Sequence, residues 1–169
     1  MNAKRQFSLL MRGHIPEKMF PYLIFSGFFE APAAISHHGN CQGGLYAHSY
    51  AVTASLLFLT ERLGLKWEKE RSPYIVGMFH DLCKLDDYKQ VDGVWQRDEK
   101  ARPGHGEKSV LMATLHMELT EEEMLCIRWH MGAFDDKANW NGYTEAVKRC
   151  PNVLYTHTAD MIASQVMGV

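Results

Sequence analysis

An imidazole and a carboxylate stand side by side in the segment VGMFHDLCKLDDY, residues 76–88. His80 and Asp81 follow an apolar run that is expected to be buried. Burying either group without a partner costs free energy, so other residues must compensate them. Imidazole nitrogen and carboxylate oxygen together suit divalent transition metals. The pair therefore raises the question of whether the chain supplies further ligands.

Further imidazoles and carboxylates stand where helices are predicted, at His48, His105, His130 and Asp160. His48 falls on the apolar stripe of its helix, so its side chain is expected to point inward. Asp160 lies in the body of the last predicted helix, where no backbone amide is free, so helix capping does not explain it. Helical bundles build metal sites from inward-facing side chains of separate helices. The set predicts such a site.

Neither the His-Asp dipeptide nor an inward-facing histidine alone is specific evidence for a metal site. A His-Asp dipeptide often arises by chance, and a lone inward histidine is more often a satisfied core residue than a ligand. The ordered set favours a metal site: one histidine, then His80-Asp81, then two more histidines and an aspartate, all at helix positions.

Periodicity and capping signals predict the helices that position these residues. Apolar residues recur at steps of three and four over 45–63, and Gly64 ends that helix. Ser72 followed by Pro73 predicts an N-cap and a first turn for a buried helix that runs into His80.

The second half of the chain carries similar signals. Thr120 and Glu123 predict a capping box that opens a helix through about His130. Pro151 suits the first turn of a last helix that runs to about Met167. His130 is thus expected to close one helix, as His105 is expected to open another.

One segment is predicted to be extended. Asp92-Gly93 separates short alternating stretches within residues 88–97, which is typical of a hairpin with a two-residue turn. The predicted fold class is therefore all-α, with a small β-hairpin near residues 88–97. A chain of 169 residues suits a single domain spanning 1–169.

Composition narrows the function classes. Hydrophobic residues make up 46% and charged residues 22%, with a net charge of −2, so no global basic field attracts nucleic acid or an anionic membrane. The start of the chain lacks the apolar core of a signal peptide, and Pro21, Glu30 and Pro32 interrupt the most apolar window. The four cysteines form no CxxC pair and predict reduced thiols in a cytoplasmic protein.

The order His48, His80-Asp81, Asp160 resembles that of the HD-domain metal-dependent phosphohydrolase superfamily, whose fold is an all-α helical bundle. The segment HHGNCQGGLYAHS is similar to the HH…GGL..H(S/T) opening motif of bacterial HD-type 3'–5' exoribonucleases. The resemblance spans about residues 36–164. It implies an HD core over about 36–165, preceded by a helical extension over 1–35.

The resemblance also implies a ligand set. One divalent ion would be held by His48, His80, Asp81 and Asp160, and a second by Asp81, His105 and His130. Asp81 would then bridge two ions, which could share a hydroxide and clamp a phosphoryl group. Mn, Fe, Co, Ni, Zn and Mg are not distinguished. A third ion is not expected, because Met131 stands where relatives carry a second consecutive histidine.

Lys84 follows Asp81 by three residues, where a family lysine contacts the scissile phosphate; the alternative is a solvated surface lysine. His157, one turn before Asp160, could support a ligand. Second-rank candidates for substrate contact, each with an ordinary loop or surface role as the alternative, are His37, His38, Lys108 and Arg128.

Together these features predict a phosphohydrolase that uses a metal-activated hydroxide on a phosphoester of a nucleotide or short oligonucleotide, with monoester and diester cleavage both open. Asp81 and Lys84 are the predicted catalytic residues. No Gly-Tyr-Pro signature follows His130, so cyclic dinucleotides are not assigned. The alternative is a non-catalytic, nucleotide-sensing or regulatory HD module. No long nucleic acid or membrane partner is expected, and a homo-oligomer stays open.

Overall fold

The computed structural model of the protein describes residues 2–34, 41–98 and 104–169. Its helices confirm the all-α prediction, and a π-helical segment, Ile162–Met167, extends the last of them. The helices are α1 (Ala3–Leu10), α2 (Met19–Phe25), α3 (Gly44–Leu63), α4 (Ser72–Phe79), α5 (Lys84–Asp87), α6 (His105–Thr114), α7 (Glu121–Trp129), α8 (Trp140–Arg149) and α9 (Asn152–Met161).

The predicted hairpin is confirmed as two antiparallel strands, β1 (Tyr88–Val91) and β2 (Val94–Arg97). Its turn has positive φ at both central residues, 50° at Asp92 and 78° at Gly93. A two-residue type I′ turn requires this backbone, and Asp-Gly is among the sequences that adopt it most readily.

Local signals place several helix ends correctly. Gly64 ends α3 in the left-handed conformation, with φ 64°. At the start of α7, the Thr120 side chain accepts from the Glu123 backbone N–H while the Glu123 carboxylate accepts from the Thr120 backbone N–H. The predicted capping box is therefore confirmed.

The predicted N-cap of α4 is wrong. Arg71 occupies the N-cap position and Ser72 is already helical, although Pro73 lies in the first turn as predicted. The Ser72 hydroxyl donates to the carboxylate of Glu123 at 3.1 Å. A charged, buried acceptor gives a stronger hydrogen bond than a backbone cap, so the tertiary contact replaces the local one.

Helix α4 is the central helix of the bundle, as its nearly uniform apolarity predicts. It contacts α3, α7 and α9, and its residues from Ile75 to Phe79 are buried. At Gly77 a Cβ would lie 2.6 Å from the Cα of Thr53, so only glycine permits this close approach of α3 and α4. The end of α4, which carries His80 and Asp81, is thereby held inside the bundle.

Two hydrophobic clusters flank α4. One is rich in aromatic rings and joins α1 and α2 to α3 and α4, with Phe7 packed against Phe28, Phe29 and Tyr46. The other is mainly aliphatic and joins α3 and α4 to α7, α8 and α9. Within the described ranges, no helix combines the length and the apolarity that crossing a bilayer requires.

Candidate metal centre

The ligands predicted from the sequence converge in the middle of the bundle, where His80 and Asp81 share the end of α4 and each of the others comes from a different helix or helix end. Their nitrogen and oxygen atoms form groups in which all ligand atoms lie within 4.8 Å of one another. The groups are His48, His80 and Asp81; His80, His130 and Asp160; and Asp81, His105 and His130. These buried groups could hold a metal ion.

Backbone carbonyls orient the three most buried imidazoles. His80 Nδ1 donates to the carbonyl of Gly77 at 2.9 Å, and His130 Nδ1 donates to that of Ile127 at 2.7 Å. His48 Nδ1 donates to the carbonyl of Val169 at 3.0 Å. A neutral histidine with its proton on Nδ1 presents a lone pair at Nε2. All three Nε2 atoms face the cluster, as metal ligands do.

The resulting contacts require a cation or a proton. The Nε2 atoms of His48 and His80 lie 3.2 Å apart, and His48 Nε2 lies 3.1 Å from Asp160 Oδ1. Burial lowers the pKa of His80 to about 3, so this imidazole is neutral near pH 7. One proton on His48 would satisfy only part of this arrangement, whereas a divalent cation would attract all three ligand atoms at once.

His130 supplies a second observation of the same kind. Its Nε2 is buried and, within the part of the chain that the structure describes, has no hydrogen-bond partner. A buried polar atom without a partner costs about 1–3 kcal/mol. This lone pair points toward Asp81 Oδ1 at 3.5 Å, so the donor set fits a metal ion.

Asp81 lies at the centre of the cluster and divides it. Its Oδ2 faces His48 at 3.6 Å and His80 at 3.5 Å, while its Oδ1 faces His105 at 2.6 Å and His130 at 3.5 Å. Burial alone would raise the pKa of Asp81, but Lys84 and the imidazoles hold that pKa well below its usual range. One ionised carboxylate thus presents a separate oxygen to each histidine pair.

Lys84 contacts the same carboxylate. Its Nζ lies 2.5 Å from Asp81 Oδ2, and its side chain is only 16% exposed, so it is not a solvated surface lysine. Burial is the largest single influence and lowers the pKa of Lys84, but the charge and the hydrogen bond of Asp81, with smaller contributions from Tyr88 and Cys83, together raise that pKa above its ordinary value. The ammonium therefore stays charged beside the cluster.

A cleft of about 680 Å³ opens onto the cluster, a size that suits a small molecule. Part of its lining consists of charged and imidazole side chains: His48, Asp81, Lys84, His105 and Asp160. Most of the remaining lining is apolar or aromatic: Ala33, Ala34, Tyr88, Met131, Phe134, Met161 and Val169. The cleft thus combines charged side chains that could meet a phosphate with apolar surface.

Two of the second-rank residues, Lys108 and Arg128, are engaged in ion pairs. Lys108 pairs with Asp86 at 3.2 Å and Asp87 at 3.1 Å. Arg128 pairs with Glu107 and Asp135, and neither cation is among the described residues that line the cleft. His37 and His38 lie outside the described residues. Substrate contact by any of the four stays a prediction.

His157 supports the centre from outside. Its Nδ1 donates to the backbone carbonyl of His130 at 2.8 Å, and Gly132 packs so close to its ring that a Cβ would lie 2.6 Å away. This contact ties α9 to the end of α7. His157 therefore helps to fix the backbone that carries one ligand.

Two neighbours of the ligands were not predicted. Cys83 Sγ lies 3.2 Å from His105 Nδ1, and a thiol can donate to this nitrogen or accept from it, so either tautomer of His105 finds a partner. In the sequence, only its position two residues after Asp81 indicated that Cys83 could lie near the ligands. Nothing in the sequence indicated that the carbonyl of Val169, 121 residues away, would orient His48.

No protein-family model, curated protein or solved structure matches this chain. Fold and site define it as an all-α protein with a small β-hairpin and a buried His/Asp cluster that could hold a metal ion.

Proposed function

We propose that this protein is a metal-dependent phosphohydrolase of the HD type that cleaves a phosphoester of a nucleotide or short oligonucleotide. The observation that carries the proposal is the position of Asp81, whose two oxygens face two different pairs of histidines. A carboxylate shared in this way is the bridging ligand that a two-ion site needs. We also propose that the protein is located in the cytoplasm.

The proposed ligands form two sets that share the Asp81 carboxylate. His48, His80, Asp81 and Asp160 would hold one ion, and Asp81, His105 and His130 the other. Two divalent ions held there would supply Lewis acidity toward a phosphoryl oxygen and would lower the pKa of water. Nitrogen and carboxylate ligands without thiolate favour a borderline transition metal, and the identity of that metal is left to experiment.

The protein's own residues then position the substrate. The Lys84 ammonium, held beside Asp81 on the cleft wall, can pair with phosphoryl oxygens as negative charge develops on them. The apolar surface that includes Tyr88 and Phe134 can receive the organic part of the substrate. A cleft of about 680 Å³ suits a small molecule or the end of a short oligonucleotide.

The test begins with metal content. Protein purified without a chelator or a metal-affinity tag should contain at least one transition metal per chain by elemental analysis, or take it up from Mn, Fe, Co, Ni or Zn. The loaded protein is then screened on p-nitrophenyl phosphate, bis(p-nitrophenyl) phosphate, nucleotides, cyclic dinucleotides and short oligonucleotides. We expect metal-dependent release of product from at least one of them.

The outcomes separate the hypotheses. If the protein takes up none of these metals, the proposal fails as a whole. Metal uptake with tight nucleotide binding and no turnover on any substrate would favour the non-catalytic, nucleotide-sensing module instead. Turnover that is equal with and without metal would contradict the role of the cluster.

A further inference from the structure

A second cavity, of about 580 Å³, lies where the beginnings of α7 and α9 meet, and none of the proposed ligands lines it. Cys150, an extended residue between the end of α8 and the start of α9, is part of its wall. Cys126, in the middle of α7, lies behind Cys150 and is fully buried. The proposed function uses neither thiol.

The two sulfur atoms lie 4.0 Å apart and belong to free thiols. A disulfide requires about 2.05 Å between sulfurs, so a closure of roughly 2 Å would join them. Cys126 lies inside α7, whereas Cys150 follows the last residue of α8 and has extended backbone angles, φ −137° and ψ 92°, while its N–H still donates to the carbonyl of Ala146 at 2.8 Å. We therefore expect most of the movement at Cys150, whose backbone dihedrals are not helical.

The surroundings distinguish the two thiols. Cys150 is 8% exposed and reaches the cavity, while Cys126 has no exposed surface. The hydrogen bond from Cys126 lowers the pKa of Cys150, and the backbone N–H groups of Asn152 and Val153 at the start of α9 lower it further, against burial. The pKa of Cys126 is raised by burial. Thiolate character and access therefore both favour Cys150 as the first sulfur to react.

Glu122 is the charged group that opposes ionisation of the Cys150 thiol. The Cys150 thiol donates to its Oε1 at 3.7 Å, a contact that favours the protonated thiol. The same oxygen also accepts from the side-chain amide of Asn152 at 2.8 Å, and Oε2 accepts from the backbone N–H of Glu68. The carboxylate therefore keeps two other donors when Cys150 loses its proton.

We propose that Cys126 and Cys150 form a peroxide-sensitive dithiol, a modification site separate from the metal centre. In the first step the Cys150 thiolate attacks hydrogen peroxide: an S–O bond forms, the O–O bond breaks, and hydroxide leaves and takes up a proton as water. In the second step the Cys126 sulfur displaces the hydroxyl of this sulfenic acid. An S–S bond forms, the S–O bond breaks, and water leaves with the Cys126 proton.

The crosslink would join α7 to the start of α9. These two helices position His130 and Asp160, so the modification would tie together two supports of the metal centre without contacting it. A thiol reductant would reverse it, which agrees with reduced thiols as the resting state.

The test treats the whole, reduced protein with hydrogen peroxide and maps its peptides by mass spectrometry without reduction. In wild type we expect one linked peptide pair joining Cys126 to Cys150, with a loss of about 2 Da that dithiothreitol restores. Cys126→Ser, which keeps a hydrogen-bond donor but cannot form a disulfide, should leave Cys150 as a sulfenic acid that dimedone traps, and Cys150→Ser should leave Cys126 unmodified. Cys41→Ser, which removes an exposed thiol, is the matched control and should still form the link.

Other results would overturn the proposal. Survival of the Cys126 and Cys150 thiols at a peroxide dose that oxidises the exposed Cys41 would show that the pair is inert. A link through Cys41 or Cys83, a link only between molecules, or oxidation of Cys126 before Cys150 would contradict the assigned order. The wild-type peptide map decides the matter even if a variant fails to fold. None of these readouts depends on metal or turnover, so this proposal and the proposed function fail separately.

Discussion

The metal centre has two halves that are held in different ways. In the inner half, His48, His80 and His130 are almost fully buried and each donates its Nδ1 proton to a backbone carbonyl. In the outer half, His105 is 28% exposed and Lys84 16%, and both are held by contacts with the Asp81 carboxylate. The inner half is oriented by the backbone and the outer half by side-chain electrostatics.

The inner half shows how a helix end can orient a ligand. His80 directly follows α4 and His130 directly follows α7, and each ring bonds to the carbonyl three residues earlier. The last carbonyls of a helix lack an intrahelical partner. Here two such ends use them to fix the imidazole tautomer. We therefore expect changes in the inner half to affect stability as well as metal binding, and changes in the outer half to affect metal binding or chemistry with little loss of stability.

Asp81→Asn should have the largest effect, because Asp81 belongs to both halves. The amide keeps the shape but removes the charge that both proposed ions share, so we expect bound metal to fall at both positions and turnover to drop below detection. Elemental analysis and circular dichroism on one preparation give the readout. Asp86→Asn, on the neighbouring helix α5, is the matched control. Equal metal content in wild type and Asp81→Asn would remove the bridging assignment.

Lys84→Met tests the outer half alone. It keeps an unbranched apolar side chain and removes the charge, so kcat and kcat/KM should fall together by about 10²–10³, or roughly 3–4 kcal/mol of barrier, with metal content unchanged. Steady-state kinetics on the substrate found by the screen measures this. Lys108→Met is the control, because Lys108 pairs with Asp86 and Asp87.

Two results would change the assignment of Lys84. An unaltered kcat would remove it from the chemistry and leave the metal centre intact. A loss of turnover in proportion to lost metal would show that Lys84 supports the architecture of the centre instead.

The comparison of His80→Ala with His105→Ala sharpens the contrast between the halves. The first removes a fully buried ring and should lower the free energy of unfolding by about 1–3 kcal/mol, with loss of the ion proposed to be held by His48, His80, Asp81 and Asp160. The second should lower the free energy of unfolding by less than about 1 kcal/mol and remove only the ion proposed to be held by Asp81, His105 and His130. Urea unfolding of chelator-treated protein, with metal analysis before chelation, measures both. Equal destabilisation by the two variants would contradict the distinction.

The inner half should also give the chelator-treated protein a pH dependence. Because burial lowers the pKa of His80 to about 3 from its ordinary value of 6.5, the unfolded chain binds a proton that the folded chain does not bind between these pH values. Stability from this group is therefore complete above about pH 6.5 and decreases as the pH falls toward 3, by at most about 1.4 kcal/mol per unit. His80→Ala should have a shallower slope in urea unfolding across this window. An unchanged slope would show that other groups cause the acid sensitivity.

Much of the fold could be predicted because its signals are local. Gly64, the Thr120–Glu123 box and the Asp92-Gly93 turn act through backbone dihedrals and hydrogen bonds within a few residues. Ser72 shows the limit of such signals. Its hydroxyl could cap a helix, but it contacts Glu123, which lies 51 residues away in the chain and could not be identified as its partner from sequence.

The sequence by itself determined the residue types that could bind a metal and the helices that carry them, because both depend on side-chain chemistry and short-range periodicity. Only the tertiary structure decided how they meet. It placed one Asp81 oxygen toward each histidine pair, brought the carbonyl of Val169 to His48, and engaged Lys108 and Arg128 in ion pairs away from the cleft wall. These outcomes depend on the packing of helices distant in the chain, where a shift of one helical turn would change every partner.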